Sequence, residues 1–517
     1  MDKLEELLRH IMYRNPETAL QLERAKRQFM HTHKGFEATP NKRDLLQLYH
    51  KLLARNQCDR NRHLEQLLAT KPMRTRSGVT IISALTKPYT CPGRCVYCPD
   101  EKGMPKSYIS DEPAAARALA LKFDPFEQVG QRIRDLKDNG HPTGKIELII
   151  KGGCWNAYTL NYQYWFILRC FQACNLAEVG IIPRAGDGTG RLRALLKTEQ
   201  NKNEKAHHRI IGLTLETRPD LIDRNSVETL REQGCTRLEL GVQTTDDRVL
   251  ELVERGHSTV EVKRATRLLR DYGFKVDYHL MPQLPGATPQ SDMTMLKSVF
   301  DDPDYRPDMI KIYPCVVTRS TGLFSWFTSG RYHPYADQEL VRIIKEFKEQ
   351  VPRYVRISRL IRDIPSHHVL AGNPVNNLRQ LIKDEMEAEG RRCRCLRCRE
   401  IGHVTAAGRT FRDDAPILFT ERYEAGGGTE YFMSFENEAR DVVFAFCRLR
   451  ISSPSGLYPA FIRELHTYGR LVPVGQRDER ASQHKGLGGE LMGEAEKICR
   501  RHRIKRLAGI AGGGVRQ

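Results

Sequence analysis

From residue 76 to about 365 the chain alternates short apolar runs with amphipathic stretches, and this alternation restricts the fold more than any other feature. The runs "KIELIIKGG", "IIGLTLETRPD", "RLELGVQ", "KVDYHLMPQLPG" and "MIKIYPCV" are separated by segments such as "SVETLREQG" and "EVKRATRLLRDYG". A βα repeat of this kind predicts an α/β fold built on a parallel sheet or barrel. In such folds the polar residues that follow each strand collect on one face, where sites are built. Gly152 and Gly153, Glu216 and Arg218 in "ETRPD", and Gln243 in "GVQ" all fall at strand ends. The glycines would let a ligand approach the backbone closely, or would serve a tight turn. The charged and amide residues read as ligand contacts, with a structural ion pair or helix cap as the other reading.

Just after the first expected strand stands "CPGRCVYCP", with Cys91, Cys95 and Cys98 spaced C-x3-C-x2-C. No apolar run approaches the length of a membrane span and no export signal opens the chain, so a cytoplasmic location is expected and no membrane association. In that reducing setting the fourteen cysteines are metal ligands, nucleophiles or packed thiols rather than disulfides. Three thiols within eight residues can hold three irons of a 4Fe-4S cluster and leave the fourth iron open. An open iron can chelate S-adenosylmethionine and reduce it, which is radical chemistry. Zinc is the competing ligand, but it wants four donors, and cysteines for it arrive in C-x2-C pairs. Cys58, Cys154, Cys170, Cys174, Cys235, Cys447 and Cys499 show no ligand spacing and are expected to be packed.

The flanks add two further units. Residues 1–75 carry helical periodicity in "MDKLEELLRHIMYR" and "NKRDLLQLYHKLLARN", with Lys and Arg on the remaining faces. With a formal net charge of +19, the chain favours a polyanionic partner, and a nucleic acid leads among these. A connector at 366–404 holds "RRCRCLRCREIGH", in which Cys393, Cys395 and Cys398 lie among arginines. These three suit zinc if a fourth donor joins them, and Cys315 is expected there in preference to His403; a redox role or an incidental basic run is the other reading. From 405 to 517, strand and hairpin signals lead to "QHKGLGGELM", a glycine loop opening a helix, the kind of place that cradles a pyrophosphate.

A radical cluster and an acyl-CoA loop in one basic chain resemble the catalytic subunit of the Elongator complex in its stand-alone bacterial or archaeal form. The motifs that carry the resemblance include "CVYCP", "LTLETRPD", "GCTRLELGVQ", "RGHSTVEV", "MPQLPG", "RELHTYG" and "QHKGLGGELM", spread over nearly the whole chain. The resemblance implies a basic helical tRNA-binding region at 1–75, a radical S-adenosylmethionine partial (βα) barrel at 76–365, and an N-acetyltransferase-like α+β domain at 405–517. It further implies a tRNA-modifying acyltransferase that uses S-adenosylmethionine and acetyl-CoA to form 5-carboxymethyluridine at the wobble position. Its cluster ligands fall on Cys91, Cys95 and Cys98. Its acetyl-CoA contacts fall on Lys145, also expected in catalysis, on Glu464, Leu465, His466 and Thr467, and on Leu487, Gly488 and Gly489. tRNA and an electron donor are the implied partners, and a homodimer is left open.

Three positions depart from the family pattern: the short C-x3-C spacing, Cys154 where Thr is common, and an end at "AGIAGGGVRQ" before a Tyr-Tyr helix. The last predicts an incomplete C-terminal domain that holds acetyl-CoA weakly. Two other functions remain open at this point, a protein lysine acetyltransferase and a tRNA-binding form without activity.

Overall fold

The computed structural model describes residues 3–33, 36, 38–70, 75, 77–175, 183–405, 415–469 and 486–516. Seven strands form one parallel sheet in chain order: β1 (Thr80–Leu85), β2 (Lys145–Lys151), β3 (Arg209–Thr217), β4 (Arg237–Gln243), β5 (Lys275–Leu280), β6 (Met309–Ile312) and β7 (Arg356–Leu360). Helices such as Pro125–Asp138, Thr259–Asp271 and Asp337–Gln350 make the crossovers. Crossovers of one hand put the helices on one side of the sheet, and strand twist curls the other side into a concave face. The result is a partial barrel. On β2, Ile146, Leu148 and Ile150 are buried in the main core, while Lys145, Glu147, Ile149 and Lys151 face a central cavity. The period of two in the strand is thus a division between helix-facing and cavity-facing rows.

A second sheet has the order β12-β11-β10-β9-β8, with β8 (Ile417–Ala425), β9 (Gly428–Glu436), β10 (Val443–Ile451), β11 (Ala460–Thr467) and β12 (Leu507–Gly509). The pairings of β8 to β11 are antiparallel, and β12 lies parallel to β11. Gly426 and Gly427, both with positive φ (54° and 73°), make the two-residue turn of the β8–β9 hairpin. Such a turn needs left-handed backbone at both central positions, which glycine takes without strain. Helix Leu487–Arg501 packs Leu491, Ala495, Ile498 and Cys499 against β10 and β11.

At the other end of the chain, helices α1 (Lys3–Arg14), α2 (Ala19–Thr32), α3 (Lys42–Ala54) and α4 (Arg62–Leu68) share a separate core of Leu7, Leu8, Ile11, Leu22, Phe29, Leu45, Leu46 and Tyr49 among others. The periodic segments read from sequence are α1 and α3. Side chains of Thr18, Asn41 and Asn61 cap the starts of α2, α3 and α4 by accepting backbone N–H bonds. Arg43 (to Asp138, 2.8 Å) and the Thr70 hydroxyl (to Asn139, 2.7 Å) hold the bundle to the C-terminal end of helix Pro125–Asp138.

The two sheets meet through charge. Arg463 of β11 bonds Asp308 (2.7 and 2.5 Å) just before β6, and also Glu430 of β9 (3.1 and 2.9 Å). Arg270 reaches the same Glu430 at 2.7 Å, Arg450 reaches Asp271 at 2.6 Å, and Arg448 reaches Glu464 at 2.9 Å. The four arginine side chains, Asp308 and Glu430 are 0–1% exposed. Charges so far from water persist only while every member is paired. Replacing Asp308 with Ala leaves Arg463 and Arg270 to share Glu430 as their one carboxylate, and should lower the unfolding free energy by about 3–5 kcal/mol, read as a fall in denaturant midpoint. A loss below about 0.5 kcal/mol would show that the arginines find other partners. The network also sets an acid limit. Burial pushes the Glu464 carboxyl up, but Lys275 and Arg448 outweigh it and hold it at about 2. A depressed folded value gives stability that is complete above the unfolded range near pH 4.5 and is lost as pH falls toward 2, so unfolding curves across that window should show a progressive loss that Glu464→Gln abolishes.

Candidate active site

The loop after β1 lies across the C-terminal ends of the strands and carries Cys91, Cys95 and Cys98. Val96 N–H donates to Val253 (3.1 Å) and Leu323 N–H to Val96 (2.9 Å), so the loop is clamped between two other segments. Arg255 sits against it. Its Nη1 donates to Cys95 Sγ at 3.4 Å, Nη2 to the Gly241 carbonyl at 2.5 Å, and Nε to His257 Nε2 at 2.9 Å. Burial pushes the Cys95 thiol up, yet the charge and hydrogen bond of Arg255 hold it below the ordinary thiol range. Cys98, half-buried beside Cys95, is pushed up to about 12 by desolvation and by the neighbouring Cys95 thiolate. One further cation is close, since a Cβ on Gly93 would overlap the Arg218 guanidinium. Arg255 was not singled out from sequence; its signal was an arginine in "RGHSTVEV", a loop between helices after β4.

The polar strand-end residues collect at this same end. Arg218 donates to Asp220 (3.0 Å) and to the Arg255 carbonyl (2.8 Å), while its Nη1 is buried with no partner among the described residues. Gln243 Oε1 is likewise buried and unsatisfied, on a residue with φ of 73°. Glu216 accepts from the Tyr108 hydroxyl at 2.9 Å. A buried donor and a buried acceptor left open over the thiols suit a polar ligand seated on a cluster. The glycines differ from expectation in part. A Cβ at Gly152 (φ 134°) would overlap Thr86 Oγ1, so this glycine answers to the close approach of the chain leaving β1 rather than to a ligand. Gly153 (φ 89°) makes the turn into Cys154, which is buried and near the Thr217 hydroxyl (3.7 Å).

Below this layer a cavity of about 1070 Å³ fills the barrel. Lys145, Glu147, Ile149 and Lys151 of β2 line it, with Glu239, Asp277, Lys311 and Arg359 on the other strands. Six residues separate Lys145 from Lys151, which at about 3.3 Å per residue makes this wall about 20 Å long. The second sheet closes the lower end, where Glu464, Leu465, His466 and Thr467 of β11 and Gly486, Gly488 and Gly489 at the start of helix Leu487–Arg501 also line the cavity. His466 bonds the Ser77 carbonyl (2.9 Å) and stacks on Phe446, and burial lowers its pKa. Burial likewise lowers that of Lys145. Gln483, His484 and Lys485 of the glycine loop lie outside the described residues.

Cys393, Cys395 and Cys398 come together, their sulfurs within 4.8 Å of one another, as thiolates on one ion would be. Two thiolates at about 2.3 Å from one tetrahedral ion lie roughly 4 Å apart. Cys91, Cys95 and Cys98 are not drawn into so small a span, which suits a polynuclear cluster better than a single ion. The expected fourth ligand is corrected. Cys315 is fully buried in another core with Cys95, Val317 and Leu323, and burial pushes its thiol, bonded to Tyr332, up to about 12. His403 is engaged by Glu400 at 2.6 Å. The arginines of this connector are also largely committed internally: Arg399 to Glu436 (2.8 Å) and Arg391 to Glu349 (2.7 Å).

The chain matches the Radical SAM superfamily over residues 86–299 and the Radical_SAM C-terminal domain over residues 307–388. It is 41% identical over 456 residues to a tRNA uridine(34) acetyltransferase of Dehalococcoides mccartyi, covering 86% of this chain and 95% of that one. It is 36% identical to human Elongator complex protein 3 over 467 residues, 87% of this chain and 83% of that one. A solved structure of archaeal Methanocaldococcus infernus Elp3 with an N-terminal deletion superposes with a TM-score of 0.73 at 37% identity, covering 85% of this chain and 95% of that one. Radical SAM membership implies a 4Fe-4S cluster and S-adenosylmethionine, and the thiols and open polar atoms described above fit both.

Two substitutions separate a ligand from its supporting cation. Cys95→Ala should lose the visible absorption of a reconstituted cluster. Arg255→Met should keep that absorption but lower the midpoint potential, because a nearby cation favours the reduced cluster. An unchanged potential would leave Arg255 with a packing role only.

Proposed function

The chain belongs to the family of the tRNA uridine(34) acetyltransferases and Elongator complex protein 3, and on that premise we propose the following reading. It is a tRNA-modifying enzyme that uses S-adenosylmethionine radical chemistry and acetyl-CoA to form 5-carboxymethyluridine at the wobble position. One observation carries the union of the two chemistries in this chain: a single cavity is lined both by the barrel strands that end at the cysteine loop and by β11 and the first turn of helix Leu487–Arg501. When bound, the cluster and S-adenosylmethionine supply one-electron reduction and radical chemistry.

The chain's own groups divide the remaining work. Cys91, Cys95 and Cys98 hold the cluster, Arg255 keeps a positive charge beside it, and Arg218, Gln243 and Glu216 orient the polar end of S-adenosylmethionine. Lys145, the Glu464–Thr467 strand and the glycines from 486 to 489 hold acetyl-CoA, with phosphate at a helix N-terminus where no side chain shields the amides. The barrel wall keeps water from the thioester until the new carbon–carbon bond has formed, and hydrolysis of the thioester then gives the carboxymethyl product and free coenzyme A. Cys393, Cys395 and Cys398 hold a zinc ion that fastens the connector, whose Leu396 N–H already donates to Val355 at 2.9 Å. tRNA phosphates meet the exposed Arg24, Arg27, Lys51, Arg55 and Arg62 of the helical bundle. An electron donor, a homodimeric assembly and a cytoplasmic location complete the reading; no described helix is long and apolar enough to cross a membrane. Acetylation of basic protein tails is disfavoured, since a chain of +19 repels them.

Anaerobic reconstitution with tRNA, S-adenosylmethionine and acetyl-CoA, followed by nucleoside mass spectrometry, tests the whole. The product should require both small molecules, and formation without acetyl-CoA would overturn the acyl half. Lys145→Ala should weaken acetyl-CoA binding about tenfold while S-adenosylmethionine cleavage continues. Changing Arg24, Arg27, Lys51 and Arg55 to Gln should weaken tRNA binding and flatten its dependence on log salt by about 0.7–0.9 per lost phosphate contact. An unchanged slope would place the tRNA elsewhere.

A further inference from the structure

Lys151 is a cavity-facing lysine of β2 that the acyl-CoA reading does not use, and unlike Glu147, which pairs with Arg237, it has no ionic partner among the described residues. It ends the strand immediately before Gly152 and so stands at the upper end of the cavity, opposite Lys145 at the lower end. Among the described residues, no hydrogen bond or ion pair reaches its Nζ. The groups that face it from the neighbouring strands are Lys311 of β6, Arg359 of β7, Glu239 of β4 and Glu216 of β3. Glu239 engages Lys311 and His279 (3.2 Å) through Oε2, with its Oε1 buried and without a hydrogen-bond partner among the described residues, and Glu216 engages Tyr108. Arg359 pairs with Asp363. The two facing cations are thus satisfied elsewhere, and Lys151 is left as a solitary amine between them, directed at the cavity.

We infer that Lys151 is a self-acylation site, its amine taking the acyl group from a thioester bound in the cavity. This rests on the acyl-CoA reading above and adds to it a covalent step within the chain itself. The neutral amine attacks the thioester carbonyl, a C–N bond forms, and the C–S bond breaks. The coenzyme leaves as thiolate and takes up the proton that the new amide nitrogen releases, so the products are Nε-acyl-lysine and free thiol, with no oxidant or reductant consumed. Burial, and then the charges of Lys311 and Arg359, lower the Lys151 ammonium to about 8, so a substantial neutral fraction exists near neutral pH. An amine activated by desolvation and adjacent cations is a recurring form of lysine nucleophile. Lys311 is no rival, because Glu239 keeps it protonated well above the ordinary range. Acylation exchanges a cation for a neutral amide at the end of the cavity nearest the cysteine loop.

The test uses the full chain with acetyl-CoA alone, without S-adenosylmethionine or reductant, followed by intact-protein and peptide mass spectrometry. One acetyl group should appear at Lys151, at a rate that rises through pH 8 and is suppressed at least tenfold by excess unacylated coenzyme A. Lys151→Arg keeps the charge and should remove the modification, while calorimetry shows coenzyme A still bound. Calorimetry also separates the two levels of the argument. Coenzyme A binding with no acetyl group at Lys151 overturns this inference alone, and acetylation indifferent to excess coenzyme A does the same by placing the reaction outside the cavity. Absence of coenzyme A binding overturns the acyl-CoA reading together with it.

Discussion

Arg463 governs how the two sheets meet. In an even strand, successive side chains point to opposite faces, but the β10–β11 pairing steps from Arg448 opposite Glu464 to Leu449 opposite Ile462. Arg463 is the residue left over, and a bulge of this kind lets two consecutive residues address the same side. Both Arg463 and Glu464 thereby reach the barrel, the first at Asp308 and the second 3.7 Å from Lys275. A regular strand would supply one of these contacts and lose the other, and with it either the anchor or the cavity floor.

Because the anchor lies at the N-terminal ends of the strands, the barrel is used at both ends. Chemistry in folds of this class gathers at the C-terminal ends, and the opposite end ordinarily serves stability. Here the stabilising contacts ring the lower opening without filling it. Arg356, bonded to Glu400 at 2.8 Å, and Lys275 stand at its edge, and the interior stays hollow between them. The charged residues of the interior show how: Glu147 bonds Arg237 at 2.7 Å and Glu239 bonds Lys311, pairs that carry polar groups inside a sheet whose outer face is apolar.

Much of this was legible from residue order. Alternating apolar and amphipathic segments indicated the parallel sheet, and the spacing of Cys91, Cys95 and Cys98 indicated a cluster, because both are local patterns. β7 (Arg356–Leu360) escaped notice, since its "RISRL" has arginines at two of five positions, both turned to the cavity. The same signal runs through β2, where Lys145, Glu147 and Lys151 occupy three of the four alternate places of an otherwise apolar run; read as a row, it marks a polar interior. The partners of Cys315 and of the connector arginines were not legible, because each depends on segments distant in sequence. Cys315 looked available by residue type and is occupied by packing.

The wall between Lys145 and Lys151 has one more consequence. A ligand gripped at the floor and reacting at the roof must bridge about 20 Å of barrel. On the proposed acyl-CoA reading the fold would act as a gauge of molecular length. On that reading a compact acyl donor such as an acyl phosphate would fit the hollow but could not be held at one end while presenting its carbon at the other, and the number of residues in a strand would then favour a long-armed carrier.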